Sequence, residues 1–349
     1  MKELAITAVN SITAVGHDGR MTAAAVRAGV SRLSEYDEYP DGDDNPITVA
    51  RIRDIEDDNQ DTASRLSSIA TKCLEELLGD FFQDGASKPS KIHLFLGIAA
   101  EDRPGPRYEE SCLYPLQRVL EDWADTVDLE VVPQGNASIH YAIAQAAELI
   151  ENHPATLCII GGLDSLLRAS TLNWFEQAGR LKSVSYGRHQ GLIAGEAVGF
   201  MIIEDPALAA QANRPLLARI TALGLAEESS PRAAGSPSRN SGLTDACHAA
   251  LNGIQDKEIR ALFGDLNGEN SRAVEWSMAD MRCFKERHDQ RQLWTPANCY
   301  GDTGAASGTV MTSVVTQGFV RGWLQSPVLM FCSDDHGSCG ALVLEDDQA

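Results

Sequence analysis

Val132-Pro133-Gln134-Gly135-Asn136-Ala137-Ser138-Ile139-His140 is the stretch that decides how this chain folds. It lies between a β-rich run, Leu129 to Val132, and an Ala-rich helical run, Tyr141 to Ile150. A strand-to-helix turn of this kind presents a side chain at a helix head, where free backbone N–H groups favour negative charge and lower the pKa of a thiol. The residue at the tip is Asn136, whose carboxamide has no ionisable proton. The turn suits a nucleophile and carries none.

Outward from this turn, strand-like and helical runs alternate. Leu4 to Val9 is a short apolar strand, and Thr22 to Ala28 is helical. Asp61-Thr62 suits a helix cap before Ala63 to Leu78. Ile92 to Gly97 is a buried strand, Glu109 to Asp122 a helix, and Leu157 to Ile160 a second buried strand with a tight exit at Gly161-Gly162. The acidic stretch Glu35 to Asn45 and the segment Asp54 to Asp61 are expected as solvated loop, and Glu227 to Ser241, rich in Ser, Pro, Arg and Gly, as an exposed loop. Strands alternating with helices imply a layered α/β fold.

The two halves of the chain echo one another. Gly199-Phe200-Met201-Ile202-Ile203-Glu204-Asp205 is matched by Gly340-Ala341-Leu342-Val343-Leu344-Glu345-Asp346, and Ile6-Thr7-Ala8-Val9 by Ile220-Thr221-Ala222-Leu223. Two matches in the same order, each bounding a half, point to an internal duplication. The expected division is 1–205 and 206–349, with the boundary in Pro206 to Pro215.

Composition narrows the partners. The 349 residues carry a net charge of -21, a surface that repels nucleic acid and anionic membranes. The same charge works against acidic partners such as acyl carrier proteins unless a local basic patch exists. No run of about 18 apolar residues is present. The eight cysteines form no CxxC pair or ligand cluster and are expected as reduced, buried thiols of a cytoplasmic protein, with no metal and no cofactor.

Several ordered motifs carry a family resemblance. Gly161-Gly162-Leu163-Asp164-Ser165-Leu166-Leu167 with Gly179-Arg180-Leu181-Lys182-Ser183 resembles the strand and loop that follow the nucleophile in β-ketoacyl synthases of the thiolase superfamily. Arg188 with Gly191 to Ala197 resembles that family's R-D-G-F-x-x-G-E-G-A segment, with His189-Gln190 where the Asp stands. Gly304-Ala305-Ala306-Ser307 is similar to its late Gly-Ala-Ala-Gly turn, and Cys339-Gly340-Ala341-Leu342 to its closing N-x-A-L strand. The resemblance implies an α/β, thiolase-like, five-layered α-β-α-β-α sandwich built from two duplicated halves.

The family's chemistry does not carry over with its motifs. Condensation needs a Cys thiolate to hold the acyl group, and the matching residue is Asn136. The family's H-G-T-G-T corresponds to Asn267-Gly268-Glu269-Asn270-Ser271, placing Asn267 at the first catalytic His. The third position depends on register. An ungapped match puts Gly301 at the second His, and a one-residue shift, following the G-N-T-S-A-A-S of the ketoacyl synthase III branch, puts Asp302 at that branch's Asn; Tyr300-Gly301-Asp302-Thr303-Gly304-Ala305-Ala306-Ser307 favours the second. The G-F-G-G gating loop becomes Asp334-Asp335-His336-Gly337, with Asp335 replacing the aromatic gate.

These substitutions imply a non-condensing, catalytically silent protein acting through its surface. It would be a homodimer, or a heterodimer with a ketosynthase-like subunit, serving either as the inactive partner of an active enzyme or as an adaptor toward an effector or carrier protein. The enzymatic alternative is an acyltransferase or decarboxylase of the 3-oxoacyl-[acyl carrier protein] synthase type using Asp302, Ser138 or Cys299. Asn136, Ser138, Asn267, Cys299, Asp302, Asp335 and His336 are the expected lining of the central pocket. His140 is expected as structural, and the Asp334-Asp335-His336 cluster as solvated loop.

Overall fold

The computed structural model describes all residues except 1, 41–44, 54–60, 83–87, 106, 183–189, 235–237, 255–257, 285–290 and 348–349, together with the side chains of 109 and 110. Arg188 and His189 of the family-like segment, and most of the 54–61 stretch, lie outside the described residues.

The first half runs β1 (Leu4–Thr13), α1 (Gly19–Ala28), β2 (Ser34–Pro40), β3 (Pro46–Ala50), α2 (Thr62–Phe81), β4 (Lys91–Gly97), α3 (Glu109–Glu121), β5 (Thr126–Val132), α4 (Ser138–Asn152), β6 (Leu157–Ser165), α5 (Ala169–Gln177) and β7 (Ala194–Glu204). After α6 (Pro206–Gln211), the second half runs β8 (Ala218–Glu227), α7 (Gly242–Asn252), β9 (Ala261–Gly264), α8 (Asn270–Cys283), β10 (Gln292–Trp294), α9 (Ala297–Tyr300), α10 (Ser307–Val320), β11 (Val328–Ser333) and β12 (Ser338–Glu345). Local chemistry sets the ends. Asp18 accepts from the Met21 N–H at 2.7 Å to start α1, and Gly29, at φ 65°, ends it in the left-handed conformation. Asp61 caps α2 through the Ala63 and Ser64 N–H groups.

Strand order exposes the duplication more plainly than the sequence does. The first half pairs its strands β5-β4-β6-β7-β1, and the second pairs β10-β9-β11-β12-β8, the same order in equivalent elements. β1 and β8 join the halves antiparallel, with Leu4 opposite Ile220 and Ile6 opposite Ala218. β5 ends the sheet on one side and β10 on the other. On β5, Val127, Leu129 and Val131 pack toward the core while Asp128 and Glu130 alternate to the other face.

Three packed interiors stack the elements into five layers. The central one gathers α1, α4 and α10 between the two halves of the sheet, including Ile139, Ile143, Val310 and Val314. α2 and α3 cover the outer face of the first half through Leu66, Leu74 and Leu116. α7 and α8 cover the second through Leu243, Ala246 and Trp276, whose ring stacks on Phe331 at 4.0 Å. β7 shows the division on one strand: Ala197, Met201 and Ile203 face the central layer, while Val198, Phe200 and Ile202 face the outer helices.

One loop expectation is corrected. Most of β2 lies within the Glu35–Asn45 stretch expected as solvated loop and pairs antiparallel with β3, which follows that stretch and continues onto β7 at Val49–Ala194. Acidic neighbours hide an alternation in which Tyr36, Ile47 and Val49 turn onto Leu166, Leu172 and Phe175. Among its described residues the stretch Glu227–Ser241 is exposed or half-buried apart from Glu228, which is buried and accepts from the Ser241 and Gly242 N–H groups at 2.7 and 3.0 Å.

Candidate functional site

Two helix heads meet at the centre of the molecule. A one-turn 3-10 segment, Gly135–Ala137, leads into α4, and a second, Gly304–Ala306, leads into α10. Gly135 and Gly304 adopt nearly equal positive φ angles, 52° and 51°. At each one, a carboxylate stands where a β-carbon would project. The hypothetical Cβ of Gly135 would lie 1.8 Å from Asp334 Oδ2, and that of Gly304 2.1 Å from Asp164 Oδ2. Both carboxylates use the backbone there: Asp334 Oδ2 accepts from the Asn136 N–H at 3.3 Å, and Asp164 Oδ2 from the Ala305 N–H at 2.9 Å. Arg103 forks onto Asp164 at 2.6 and 2.7 Å. The duplication therefore extends to a carboxylate seated on each helix head, where the backbone attracts anions.

Asn136 and Asn267 converge on Asp302. Asn267 Nδ2 donates to Asp302 Oδ2 at 2.6 Å, and Asn136 Nδ2 lies 3.5 Å from Oδ1, the long limit of a hydrogen bond. Oδ1 also accepts from the Gly304 N–H at 2.9 Å. Backbone bonds hold Asp302 in place, its N–H donating to Ile193 O and its carbonyl accepting from the Gly195 N–H, both at 2.8 Å. Gly301 is packing, since a β-carbon there would meet Ile193 O at 2.9 Å. Of the two sequence registers, Asp302 is the one whose side chain joins the other two residues. All three side chains are buried, and the cavity beside Asp302, lined by Asp265, Tyr300, Gly301, Ser307 and Met311, has a volume of about 10 Å³, room for about one water.

Ser138, Cys299 and His140 do not join this trio. Ser138 is fully buried; its Oγ accepts from the Gln134 N–H at 3.1 Å and lies 2.9 Å from Val132 O and 3.1 Å from Ile98 O. Its single proton is thereby committed to backbone carbonyls. Cys299 is buried in the central apolar layer, and burial raises its thiol pKa. His140 is sealed against Gly340 with Nδ1 3.3 Å from Ala137 O, and burial lowers its pKa to about 4, so the ring is neutral.

An extended ion network closes over the trio. Glu269 Oε2 accepts from Asn267 Nδ2 at 2.9 Å, and Arg180 grips Glu269 with two bonds of 2.6 and 2.8 Å. Arg180 also donates to Asp335 at 2.6 Å, and Arg232 holds the other Asp335 oxygen at 2.9 Å while reaching Glu275 at 2.6 Å. Arg272 donates to Asp265 at 2.8 Å and to Ser333 O at 2.5 Å. Burial alone drives the Asp335 carboxyl upward, but Arg180, Arg232 and Arg272 outweigh it and hold the group well below the usual range. Asp265 falls the other way: burial, only partly offset by Arg272, raises it to about 6.

The expected solvated gate is thus corrected for Asp335, which is buried and pinned between two arginines. His336 is half-buried and pairs with Asp334 at 3.0 Å; that hydrogen bond raises its pKa. Sequence reasoning missed Arg180, Arg232, Arg272, Asp265, Glu275 and the placement of Asp334. On α8 the inward residues are Arg272, Glu275, Trp276 and Ala279, so the buried face carries charge that ordinary amphipathic reading assigns to solvent. Among the described residues, no group of His, Cys, Asp and Glu could hold a metal ion, and no helix is long and apolar enough to cross a membrane.

No family model matches the chain, and no curated protein matches it. Solved structures do. The ketosynthase from module 6 of the bacillaene synthase of Bacillus subtilis 168 superimposes with a TM-score of 0.79 at 12% identity, covering 100% of this chain and 73% of that one. The ishigamide ketosynthase/chain length factor gives 0.78 at 14%, covering 99% of each chain. A β-ketoacyl synthase from Burkholderia phymatum STM815 gives 0.76 at 16%, covering 99% and 100%. Identities this low establish the fold alone: the chain has the thiolase-like ketosynthase architecture that its motifs resemble.

Proposed function

We propose that this chain is a non-condensing protein on a ketosynthase fold, acting as a binding subunit or scaffold rather than as a carbon–carbon bond-forming enzyme. The carrying observation is the mutual satisfaction of Asn136, Asp302 and Asn267 at the head of α4. By resemblance, a thiolate belongs at the first of these positions and an imidazole at Asn267, while Asp302 stands where one branch of the family carries an asparagine. An amide at the first leaves nothing to hold an acyl group, and an amide at the second supplies no acid or base near neutral pH.

Three further features support the reading. Asp334 already occupies the Asn136 N–H, a donor that an acyl oxyanion would need, and like charge opposes its entry. Asp335, in the place of a mobile aromatic gate, is anchored by Arg180 and Arg232. The space beside Asp302 is about 10 Å³, against roughly 300 Å³ or more for a small-molecule site. An acyltransferase or decarboxylase would have to enlist Ser138, Cys299 or Asp302, and each is already committed to hydrogen bonds or packed in apolar surroundings.

Two-chain association through the open edge of β5 fits this role. A partner subunit of ketosynthase type is one occupant, and the ketosynthase/chain length factor among the structural neighbours makes an inactive-partner role concrete. A carrier or effector protein is another; one neighbouring structure is an acyl-carrier protein in complex with its ketosynthase. The deciding experiment is incubation with a short acyl thioester followed by intact-mass measurement. The expected spectrum contains the unmodified chain only. An acyl adduct mapped to Ser138, Cys299 or the α4 head overturns the proposal.

A further inference from the structure

On the outer face of the second half, two thiols meet between α7 and α8. Of the eight cysteines, seven are buried, and Cys283, at the end of α8, is half-buried. Its sulfur lies 3.6 Å from the carbonyl oxygen of Thr244 on α7. Cys247, one turn further along that helix, is fully buried, and its thiol hydrogen-bonds the Cys283 sulfur. This contact favours charge on Cys283. The bond from the Cys247 thiol lowers the Cys283 pKa, against burial and the Asp280 and Asp245 carboxylates, and raises that of Cys247. Arg282 pins the end of α8 over α7, donating to Asn240 O at 2.6 Å and to Thr244 Oγ1 at 3.2 Å. The third thiol of this layer, Cys339, is engaged elsewhere: it lies 3.4 Å from Gly337 O, and burial raises its pKa.

A thiol that solvent reaches, with a second thiol already in contact to support its charged form and to resolve it, has the arrangement of redox-sensitive cysteines. We infer that Cys283 and Cys247 form a dithiol that hydrogen peroxide converts to a disulfide across α7 and α8. The Cys283 thiolate attacks the peroxide, takes one oxygen as a sulfenic acid and releases the other as water. The Cys247 sulfur then displaces the sulfenic oxygen as a second water, and the sulfur–sulfur bond forms. Two thiols and one hydrogen peroxide give one disulfide and two waters. The bridge fixes the end of α8, the helix that sends Arg272 and Glu275 into the ion network. This chemistry is independent of the helix heads and of whether they are catalytically silent.

The test is to treat the folded, fully reduced chain with a small excess of hydrogen peroxide, alkylate the remaining thiols in denaturant, and map the peptides without reduction. The expected map joins the peptides bearing Cys247 and Cys283. Two of the eight thiols escape alkylation and return on treatment with dithiothreitol. In Cys247→Ala the same dose should leave Cys283 as a sulfenic acid that dimedone traps, with no bridge. In Cys283→Ser the remaining thiols should all stay open to alkylation. A bridge that forms only when the chain is oxidised in urea overturns the assignment, because the fold then holds the sulfurs apart. A wild-type chain that dimedone traps at Cys283 without bridging also overturns it, as does one whose two thiols both stay alkylatable.

Discussion

Asp302 is the residue on which the centre turns, because its two oxygens serve Asn136, Asn267 and the Gly304 N–H together. Asp302→Ala strands these buried donors, and each unsatisfied group costs about 1–3 kcal/mol. Urea unfolding should therefore show a loss of at least about 1 kcal/mol; an unchanged midpoint would mean that the trio is not coupled. His140 makes a different prediction. Its folded-state pKa, about 4, lies below the ordinary 6.5, so between these values the unfolded chain binds more protons. This contribution is complete above pH 6.5 and falls away as pH drops toward 4, by up to about 3 kcal/mol. Asp265, raised to about 6, has the opposite sign: its contribution is complete below the ordinary aspartate range and is lost as pH rises through 6. Between pH 7 and 5 the two contributions oppose each other in the wild-type chain, so in His140→Gln, where Asp265 is left unopposed, the urea midpoint should rise relative to wild type as pH falls. Identical slopes would remove His140 from the account.

Among the elements, α8 and the β11–β12 turn hold the charged lid together. Arg272 from α8 meets Asp265 just after β9 and the carbonyl of Ser333 at the end of β11. Buried pairs of this kind are weak net stabilisers, yet removal of one partner leaves a costly lone charge. Arg272→Met should destabilise the fold by about 3–5 kcal/mol, and adding Asp265→Asn should recover a large part of that loss. A double-mutant cycle in denaturant measures the coupling; additive effects would show that the two charges do not depend on each other. The same logic bears on the turn that carries Asp335. An aromatic ring at position 335 could swing on packing forces alone, whereas Asp335 would have to leave two guanidinium groups.

For the whole molecule, the arrangement of strands leaves β5 as a sheet edge beside the Gly135–Ala137 turn. Asp128 and Glu130 blunt that edge with charge, and Lys91 and His93 on β4 lie against them. Pairing of β5 with a second copy is expected to place the purified chain at twice 37.6 kDa in sedimentation equilibrium. A single-chain species at micromolar concentration would leave association to a different partner subunit. The net charge of -21 disfavours an acidic partner on most of the surface.

The α/β layering, the repeat of its halves and the non-ionisable amides at Asn136 and Asn267 were legible in the chain itself. Periodicity, turn glycines and ordered motifs are local properties, and an amide lacks a proton to exchange wherever it sits. The third member was legible only as a preference, because one residue of register separates Gly301 from Asp302; the motif favoured Asp302, and the backbone bonds to Ile193 and Gly195 hold it where its side chain meets the other two. Nor could the chain announce that Arg180, Arg232 and Arg272 are buried. Charged residues are placed inside by partners far away in sequence, and Arg180 lies 155 residues from Asp335 and 89 from Glu269. Tertiary structure alone decides such pairings, since burial of a charge is tolerable only once the opposite charge has been folded against it.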